Sequence, residues 1–387
     1  MSELPVGPLS FLLPTRIELG VGLAERLGKL SAEAGYRSAF VVVDPGVHAA
    51  GAADGALRSL EAAGLTLTLW TRLQPNPTDV DVEAGAAALA EDRKDVIIGI
   101  GGGSALDTAK GIAVLATNPG RVRDFAGNGN VPNRAWPLVL VPTTAGTGSE
   151  VTANISITDV RTHDKLALRD PNNYAKLAIL DPALLRGLPA PAAAAAGMDA
   201  LTHAVESYVS VRATALTKLL AYDATRRIGA SIEAFVADRG DERHATEMLY
   251  ASCLAGIAIS HTGTGNAHAV ARALGGRYGV AHGVGCGVAL EPVMRFNSEA
   301  VRDDYAILAQ ALGVADPSAG SDTNAERAIR RVGQIRAAVG LPEQLDVDVA
   351  AEALPELGRW AADSSGPNPR PTSPDEAAEL VRAVVRA

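Results

Sequence analysis

The chain has 387 residues, which is enough for two or three domains that each bury a core. Hydrophobic residues make up 47% of the sequence and charged residues 20%, a composition typical of a helix-rich α/β protein that excludes disorder of the whole chain. The net charge of −9, without a basic run, argues against nucleic acid as a partner. No apolar stretch approaches the roughly 18 residues that cross a bilayer, and the start resembles no signal peptide. We therefore expect a cytoplasmic protein with no membrane partner.

The two cysteines, Cys253 and Cys286, lie 33 positions apart and belong to no CxxC motif. Two thiols at this spacing do not form a disulfide framework. We interpret them as ordinary buried or half-buried thiols, and redox chemistry through sulfur is not indicated.

The first half of the chain alternates short apolar runs with helical patterns. Short aliphatic runs separated by amphipathic stretches are typical of parallel strands that helices cover on both faces. We therefore predict an α/β domain with a doubly wound, mainly parallel sheet. The run at 65–70 alternates leucine with threonine, which places it nearer an edge of the sheet. The predicted strands lie at 40–43, 65–70, 96–100, 138–141 and 177–180.

Two runs late in the first half of the chain, at 154–158 and 165–169, flank a turn and predict a β-hairpin.

The second half of the chain has a different pattern. After the prolines at 189 and 191, the strand signal gives way to alanine-, leucine- and arginine-rich sequence with helical periodicity. The alanine run 192–196 is interpreted as a helix start rather than a linker. We predict an α/β domain at 1–185 and an all-helical domain at 186–387.

A glycine-rich turn, Gly101-Gly102-Gly103-Ser104, follows the predicted strand at 96–100 and precedes a helical segment. Glycines let the backbone approach a ligand closely, and a helix N-terminus offers free N–H groups to a phosphate. This turn is not GxGxxG, and an ordinary tight βα turn would explain it equally well.

Two other strand ends strengthen the case for a nucleotide site. The segment 142–150 places three threonines and two glycines at the end of a neighbouring strand, where open α/β sheets bind ligands. Asp44 follows the strand at 40–43, where a carboxylate commonly binds ribose hydroxyls. Because a carboxylate repels a 2′-phosphate, Asp44 favours NAD over NADP.

The histidines contain a possible metal set. Asp199 and His203 are four positions apart, so they share one helix face, although a simple ion pair would explain that pair alone. A straight helix would separate His268 from His282 by about 21 Å. Glycines at 275, 276 and 279 are expected to interrupt the segment and let His282 fold back.

Four ligands, one carboxylate and three imidazoles, then become possible. Such a set suits Fe(II) or Zn(II), and ligand softness does not separate the two ions. A cation beside a nicotinamide would polarise a carbonyl or lower the pKa of an alcohol, which is the activation that hydride transfer requires.

The motifs can now be compared as a set. They are Gly101-Gly102-Gly103-Ser104 with Asp107 and Lys110, the segments 142–152 and 197–206, and Ala281-His282-Gly283. Together they resemble the iron-containing (group III) alcohol dehydrogenase family, and the similarity spans the chain. The resemblance implies an N-terminal dinucleotide-binding domain and a C-terminal helical metal-binding domain, with metal and nicotinamide meeting in the cleft between them. It also implies a homodimer or larger homo-oligomer.

The resemblance assigns roles to individual residues. The implied metal ligands are Asp199, His203, His268 and His282. The implied cofactor contacts are Asp44, Asn76, Gly102, Gly103, Ser104, Asp107, Thr143, Thr144, Thr147, Ser156 and Lys165.

One position departs from the family pattern. Many members of the family carry another histidine four residues after the third ligand, whereas this chain has Arg272. Arginine is not a usable general base near neutral pH. Arg272 either recognises an anionic group of the substrate or turns away to pair with a helix carboxylate. His261, which we place two turns before His268 on the same helix, is a candidate substitute proton relay.

We therefore predict a metal-dependent, NAD(H)-linked alcohol dehydrogenase that interconverts a small alcohol and its aldehyde or ketone. Fe(II) is the expected metal and Zn(II) the alternative. Two other functions stay open on the same scaffold. One is a lyase similar to dehydroquinate synthase, which uses NAD transiently, and the other is a catalytically silent NAD-binding sensor, for which Arg272 is the argument.

Overall fold

A computed structural model describes residues 9–162 and 164–386 of the chain. They form two compact units. The first contains residues 12–188 and 239–249, and the second contains residues 9–11, 189–238 and 250–386. Each unit thus includes a short piece from the other side of residue 186. The domain boundary at 186 stays a prediction. Residues 1–8 and 387 of the predicted domains, and residue 163 of the predicted hairpin turn, lie outside the described residues.

A six-stranded sheet organises the first unit. Its strands run in the order β1-β9-β6-β4-β2-β3, and all neighbouring pairs are parallel. The strands of this unit are β1 Arg16–Leu19, β2 Ser38–Val43, β3 Thr66–Trp70, β4 Val96–Gly101, β5 Gly127–Asn128, β6 Leu138–Pro142, β7 Asn154–Thr158, β8 Lys165–Arg169 and β9 Leu177–Leu180. The predicted parallel sheet is confirmed, with β3 at an edge. Strand β1 was missed because its sequence, Arg-Ile-Glu-Leu, is short, charged and largely exposed.

Helices cover both faces of this sheet, and the strands show why. Phe40 and Val42 of β2 belong to one buried cluster, whereas Val41 and Val43 belong to another on the opposite face. Because successive strand residues point to opposite faces, continuous aliphatic runs are buried on both sides. The helices of this unit are α1 Leu27–Glu33, α2 Pro45–Ala49, α3 Asp54–Ala62, α4 Asp79–Glu91 and α5 Gly103–Leu115.

The predicted hairpin is also confirmed. Strands β7 and β8 pair antiparallel from Asn154 opposite Arg169 to Thr158 opposite Lys165. The short strand β5 extends this second sheet by pairing in parallel with β8.

The second unit is built mainly from helices. They are α6 Ala190–Val209, α7 Ala215–Ala237, α8 Glu242–Thr262, α9 Asn266–Tyr278, α10 His282–Asn297, α11 Arg302–Ala311, α12 Ser321–Ala338, α13 Leu354–Asp363 and α14 Pro374–Val384. Helix α8 begins with residues of the first unit. The alanine run 192–196 lies in the first turns of α6, as predicted. Within the described residues, no helix combines the length and apolarity needed to cross a bilayer.

The prediction of a purely helical second half needs one correction. Strands β10 Leu345–Asp348 and β11 Val385–Arg386 form a small parallel pair. They are four and two residues long and carry charged side chains, so they lack the aliphatic run that identified the strands of the main sheet.

Candidate metal centre and nucleotide-binding turns

Helix α6 presents two potential metal ligands inside the second unit. Asp199 and His203 are one helical turn apart, so both side chains project from the same face. Both residues are buried, with 2% and 7% exposure. Burial of a carboxylate is unfavourable, and charge interactions with the surrounding imidazoles offset part of this effect.

Helices α9 and α10 supply two further histidines. His268 lies in the first turn of α9, and His282 is the first residue of α10. The helix runs unbroken through Gly275 and Gly276, so the expected interruption at these positions is wrong. Gly279 alone reverses the chain, because its φ of 67° is in the left-handed region that favours glycine.

Close packing of α10 against α6 completes the approach. A Cβ atom at Gly283 would lie 2.4 Å from the carbonyl oxygen of Ala195. Only a glycine therefore allows the start of α10, and with it His282, to come this close to α6.

The donor atoms of these residues converge. Asp199 Oδ1 lies 3.5 Å from His268 Nε2 and 3.7 Å from His282 Nε2. The side chains of Asp199 and His268 are 3% and 2% exposed, yet neither Asp199 Oδ1 nor His268 Nε2 has a hydrogen-bond partner among the described residues. Unpartnered buried polar atoms that face one another are what a bound cation would satisfy. The residues present therefore fit a metal ion.

His203 contacts the cluster by ring stacking. Its ring stacks on that of His268, with 4.5 Å between ring centroids, and the His268 and His282 rings are 5.4 Å apart. The set of mutually close donor atoms contains Asp199, His268 and His282, but not His203.

A fourth member of that set is Cys286. Its Sγ lies 3.7 Å from His282 Nε2, and the four donor atoms all lie within 4.8 Å of one another. Cys253 and Cys286 are both buried free thiols, as interpreted from the sequence, but Cys286 also lies in the cluster. Burial raises the pKa of the Cys286 thiol to about 12. The four-residue spacing from His282 on a helix was the signal that sequence reasoning did not use.

Sequence reasoning also assigned no role to Glu206, which binds the other side of His268. Glu206 Oε2 accepts hydrogen bonds from His268 Nδ1 at 2.7 Å and from Gly265 N at 2.7 Å, and Oε1 accepts from Ala267 N at 2.7 Å. Burial acts to raise the pKa of Glu206, but the neighbouring His268 and these donors lower it overall. An ionised carboxylate holds the proton on Nδ1 and so directs the lone pair of Nε2 toward Asp199.

In the first unit, the two glycine-bearing turns predicted to contribute to a nucleotide site lie in contact. A Cβ at Gly102 would lie 3.4 Å from Thr144 Cγ2, and a Cβ at Gly103 would lie 2.7 Å from Thr147 Cγ2. These turns end the adjacent strands β4 and β6, and the backbone N–H of Thr143 donates to Gly101 O at 3.0 Å. The residues that these two turns were predicted to contribute to a cofactor site thus lie together, at the carboxyl ends of neighbouring strands.

A buried lysine joins the two turns. Lys110 Nζ of α5 donates to Ser149 O at 2.9 Å and to Asn154 O at 2.5 Å, and lies 3.7 Å from Asp107 Oδ1. Asp107 in turn accepts from Ser149 Oγ at 2.5 Å and from Ser156 N at 2.8 Å. Asp107 and the backbone N–H of Ser156, both predicted as cofactor contacts, are therefore bonded to each other.

The remaining predicted cofactor residues lie beside this network. Lys165 Nζ donates to Asn76 Oδ1 at 3.4 Å, and Ser104 Oγ donates to Pro75 O. Ser104 thus connects the glycine-rich turn to the segment that carries Asn76.

Comparison with known proteins identifies the family. Residues 14–182 match "Iron-containing alcohol dehydrogenase", and residues 193–385 match "Fe-containing alcohol dehydrogenase family, C-terminal". The chain is 35% identical to 1,3-propanediol dehydrogenase of Citrobacter freundii over 96% of this chain and 97% of that protein. It is 32% identical to NAD-dependent methanol dehydrogenase of Bacillus methanolicus, over 96% and 99%. The solved structure of an alcohol dehydrogenase from Oenococcus oeni superposes with a TM-score of 0.94, at 30% identity, over 97% of this chain and all of that one.

The chain belongs to the iron-containing alcohol dehydrogenase family. It is an oxidoreductase that acts on a CH–OH group, a metal-dependent, NAD(H)-linked alcohol dehydrogenase or aldehyde reductase. The two-domain fold expected from the motifs is that of the matched structures.

The predicted substrate contact, Arg272, and the candidate proton relay, His261, can now be located in this iron-containing alcohol dehydrogenase. Arg272 donates to Thr264 Oγ1 at 3.0 Å and to Ser364 O at 3.2 Å. His261 does not share a helix with His268, because α8 ends at Thr262 and Gly263 has a φ of 72°. The expected position of His261 on the helix of His268 is therefore wrong.

The surroundings of His261 are those of a packed side chain. Its ring stacks on that of Phe11 at 4.1 Å with an angle of 5° between the planes. Nδ1 lies 2.8 Å from Ile257 O, so the ring donates its Nδ1–H to that carbonyl.

Asp44 has a role within its own helix. Its Oδ1 accepts from Gly46 N at 2.8 Å and Val47 N at 3.1 Å, which makes it the N-cap of α2. Asp44 lies beside the glycine-rich turn of this family member, since a Cβ at Gly101 would lie 2.8 Å from the Cβ of Asp44.

Proposed function

We propose that this chain oxidises small primary or secondary alcohols and reduces the matching aldehydes or ketones, using NAD and a divalent metal held by Asp199, His203, His268 and His282. Fe(II) is the proposed metal and Zn(II) the alternative. The observation that carries the proposal is the convergence of Asp199 Oδ1 with the Nε2 atoms of His268 and His282, at 3.5 and 3.7 Å. The side chains of Asp199 and His268 are buried, and that of His282 is 45% exposed.

Each side chain of the centre has a distinct task. When bound, a divalent cation supplies Lewis acidity that polarises a carbonyl oxygen or lowers the pKa of an alcohol. Asp199 contributes the negative charge, because neighbouring imidazoles lower its pKa against the effect of burial. Glu206 keeps the proton of His268 on Nδ1, so that Nε2 faces the cluster. The buried position of Asp199 and His268 excludes water from competing with these donors.

Metal dependence is tested on the whole enzyme. The protein is stripped with a chelator, reconstituted anaerobically with Fe(II) or Zn(II), and assayed with a panel of alcohols and aldehydes under NAD(H) turnover. We expect one ion per chain and restored turnover, with both lost in Asp199→Ala. His244→Ala, a change outside the cluster, should behave as the unmodified enzyme. Full turnover by the metal-free protein would contradict the proposal.

The preference for NAD over NADP is assigned to Asp44. A carboxylate beside the glycine-rich turn repels a 2′-phosphate, whereas a serine keeps the N-cap hydrogen bonds without the charge. Asp44→Ser should therefore raise kcat/KM for NADP relative to NAD by about tenfold or more, equivalent to about 1.4 kcal/mol. An unchanged ratio in a folded Asp44→Ser protein would remove Asp44 from this role.

The substrate class follows from the relatives together with one charged side chain. The similar proteins are named for 1,3-propanediol and methanol, which are small alcohols. Arg272 lies one helical turn after His268, and we propose that it favours substrates with an anionic group. The test compares a neutral aldehyde with a matched carboxylate-bearing aldehyde in the unmodified enzyme and in Arg272→Ala. Equal efficiency with both aldehydes, unchanged by the substitution, would reject the anion preference.

The two alternatives, a lyase that uses NAD transiently and a catalytically silent NAD-binding sensor, both predict that NADH does not accumulate from an alcohol. Steady accumulation of NADH during alcohol oxidation, above the metal-stripped control, would exclude both. The cytoplasmic location and the homo-oligomeric state expected from the sequence stay predictions, and light scattering on the purified protein tests the second.

A further inference from the structure

The β-hairpin of the first unit carries two of the proposed cofactor contacts. Ser156 lies in β7, and Lys165 is the first residue of β8. Ser156 N donates to Asp107 Oδ2 at 2.8 Å. Lys165 Nζ donates to Asn76 Oδ1 at 3.4 Å. The position of the hairpin beside the glycine-rich turn therefore decides whether these two residues can contact NAD.

The far end of β7 and the turn that follows it are attached to the start of α4. Thr158 N donates to Pro77 O at 2.8 Å. Val160 N donates to Asp79 Oδ1 at 3.1 Å. Asp79 is the first residue of α4, so the hairpin is bonded to the same stretch of chain that carries Asn76.

Arg123 joins the Asp79 carboxylate to a second carboxylate in the hairpin turn. Arg123 Nη2 lies 3.1 Å from Asp79 Oδ2 and 3.8 Å from Asp159 Oδ2. The side chains of Asp79 and Asp159 are 4% and 5% exposed, and that of Arg123 is 24% exposed. Water and salt screen such partly buried pairs less than they screen exposed ones. One guanidinium thus links a carboxylate of α4 to a carboxylate of the hairpin.

We propose that Asp79, Arg123 and Asp159 are positioning residues that hold the hairpin where Lys165 and Ser156 contact the cofactor, and that they thereby set the affinity for NAD(H). We call these three residues the hairpin clamp. The inference rests on the proposed function in one respect, namely that the hairpin contacts NAD(H).

A network that only stabilises the fold makes a different prediction. Its loss would lower the free energy of unfolding but leave the NADH affinity of the folded protein unchanged. A clamp that selects the position of the hairpin instead changes the fraction of folded molecules that can bind, and the apparent Kd is the intrinsic Kd divided by that fraction. Loss of the clamp should weaken NADH binding about tenfold if about one molecule in ten keeps the hairpin in place.

A titration with NADH in the absence of substrate tests the proposal. The full chain is titrated, and the fluorescence of the bound nucleotide reports the Kd. We expect Arg123→Met to bind NADH about tenfold more weakly than the unmodified protein. Arg331→Met is the matched control, since the Arg331 side chain is 23% exposed and its Nη1 lies 2.8 Å from Glu233 Oε1 in the second unit. In turnover, Arg123→Met should raise KM for NAD and leave kcat nearly unchanged.

A double-mutant cycle separates positioning from general destabilisation. Lys165→Met removes a cofactor contact that the hairpin presents. If the clamp acts through this contact, Arg123→Met should raise the Kd for NADH by a smaller factor in the Lys165→Met protein than in the unmodified protein. Arg331→Met should have no effect in either background. Equal factors for Arg123→Met in the two backgrounds would contradict the proposal.

The outcomes distinguish this proposal from the proposed function. An unmodified protein that does not bind NADH rejects the proposed function itself. Normal NADH binding by a folded Arg123→Met protein, or an equal loss in Arg331→Met, rejects the clamp and leaves that function in place.

Asp159→Asn decides the matter if Arg123→Met does not fold. Asp159 Oδ1 accepts from Arg161 N at 2.8 Å, and the amide oxygen of asparagine keeps this hydrogen bond while the charge is lost. We expect weaker NADH binding in Asp159→Asn, and an unchanged Kd would reject the clamp.

Discussion

Glu206 links the start of α9 to the metal cluster. Its two oxygens accept from three backbone N–H groups at the start of the helix and from the ring of His268. The same carboxylate therefore caps the helix and fixes the ring orientation of His268, a proposed metal ligand. Removal of a carboxylate that orients a metal-binding histidine in this way typically lowers metal affinity by about 10- to 100-fold.

Replacement of Glu206 by glutamine should weaken both the capping of α9 and the orientation of the His268 ring. One oxygen becomes an NH₂ donor that faces other donors, so we expect a loss of about 2–3 kcal/mol in the free energy of unfolding and at least about tenfold weaker Zn(II) binding. Chelator competition and urea unfolding measure the two effects. Asn368→Ala is the matched control, since Asn368 Oδ1 accepts from Asn266 N at the same helix start. If the control lost as much Zn(II) affinity as Glu206→Gln, Glu206 would have no positioning role.

Glu150 should make stability depend on pH. It is 2% exposed, its Oε1 has no hydrogen-bond partner among the described residues, and burial raises its pKa to about 7. Between about pH 4.5, its ordinary value, and pH 7 the folded state holds a proton that the unfolded state has lost. The contribution of Glu150 to stability therefore falls as the pH rises through this window.

Glu150→Gln removes the loss of stability that ionisation of the buried Glu150 causes as the pH rises. Relative to the unmodified protein, the variant should gain stability between pH 5 and pH 8, by up to about 3 kcal/mol. Urea unfolding at the two pH values measures the difference, and Glu61→Gln, an exposed site, should show little change. A stability difference that is the same at both pH values would contradict the raised pKa.

At the level of elements, the reversal between α9 and α10 decides where His282 lies. Gly279 adopts the left-handed conformation, and Gly283 provides the space for α10 beside Ala195. Sequence reasoning predicted a glycine-dependent reversal but distributed it over three glycines. Gly275 and Gly276 stay helical because α9 continues to Tyr278 and satisfies their backbone groups.

Gly279→Ala should therefore affect the metal centre as well as stability. A Cβ there meets no atom within 4 Å, so the cost comes from the positive φ alone, about 1–2 kcal/mol. We expect weaker metal binding than in Gly313→Ala, a control with a φ of 71°, an equally open site and no link to α9 or α10. Thermal unfolding and chelator competition are the measurements. Equal metal affinity in the two variants would show that the conformation of Gly279 does not affect metal binding.

At the scale of the whole molecule, one ion would hold three helices of the second unit together. The cluster draws its donors from α6, α9 and α10, which are distant in sequence. A ligand that binds only the folded state stabilises it by mass action, by about 2.7 kcal/mol at 100 times its Kd.

Metal removal should accordingly lower the melting temperature of the enzyme. Calorimetry of the chelated and the reloaded protein measures the shift, which should grow with the concentration of free metal. Asp199→Asn keeps the side-chain volume and should lose most of the metal dependence. Identical melting of the chelated and reloaded proteins would argue against a metal that spans these helices.

The sequence by itself determined the features that depend on local pattern. Aliphatic runs such as 96–100 identified buried parallel strands. The spacing of Asp199 and His203 placed both on one helix face. The combined motifs identified the family, which the comparisons then confirmed.

Only the tertiary structure decided which distant side chains meet. The contacts of Cys286 with the cluster, of Glu206 with His268 and of Arg272 with Ser364 join separate elements. Periodicity fixes the face on which a residue lies, but the packing of helices and the direction of each reversal fix what that face contacts. His261 illustrates the limit, since a single residue of positive φ at Gly263 ends α8 and separates His261 from the helix on which it was predicted to lie.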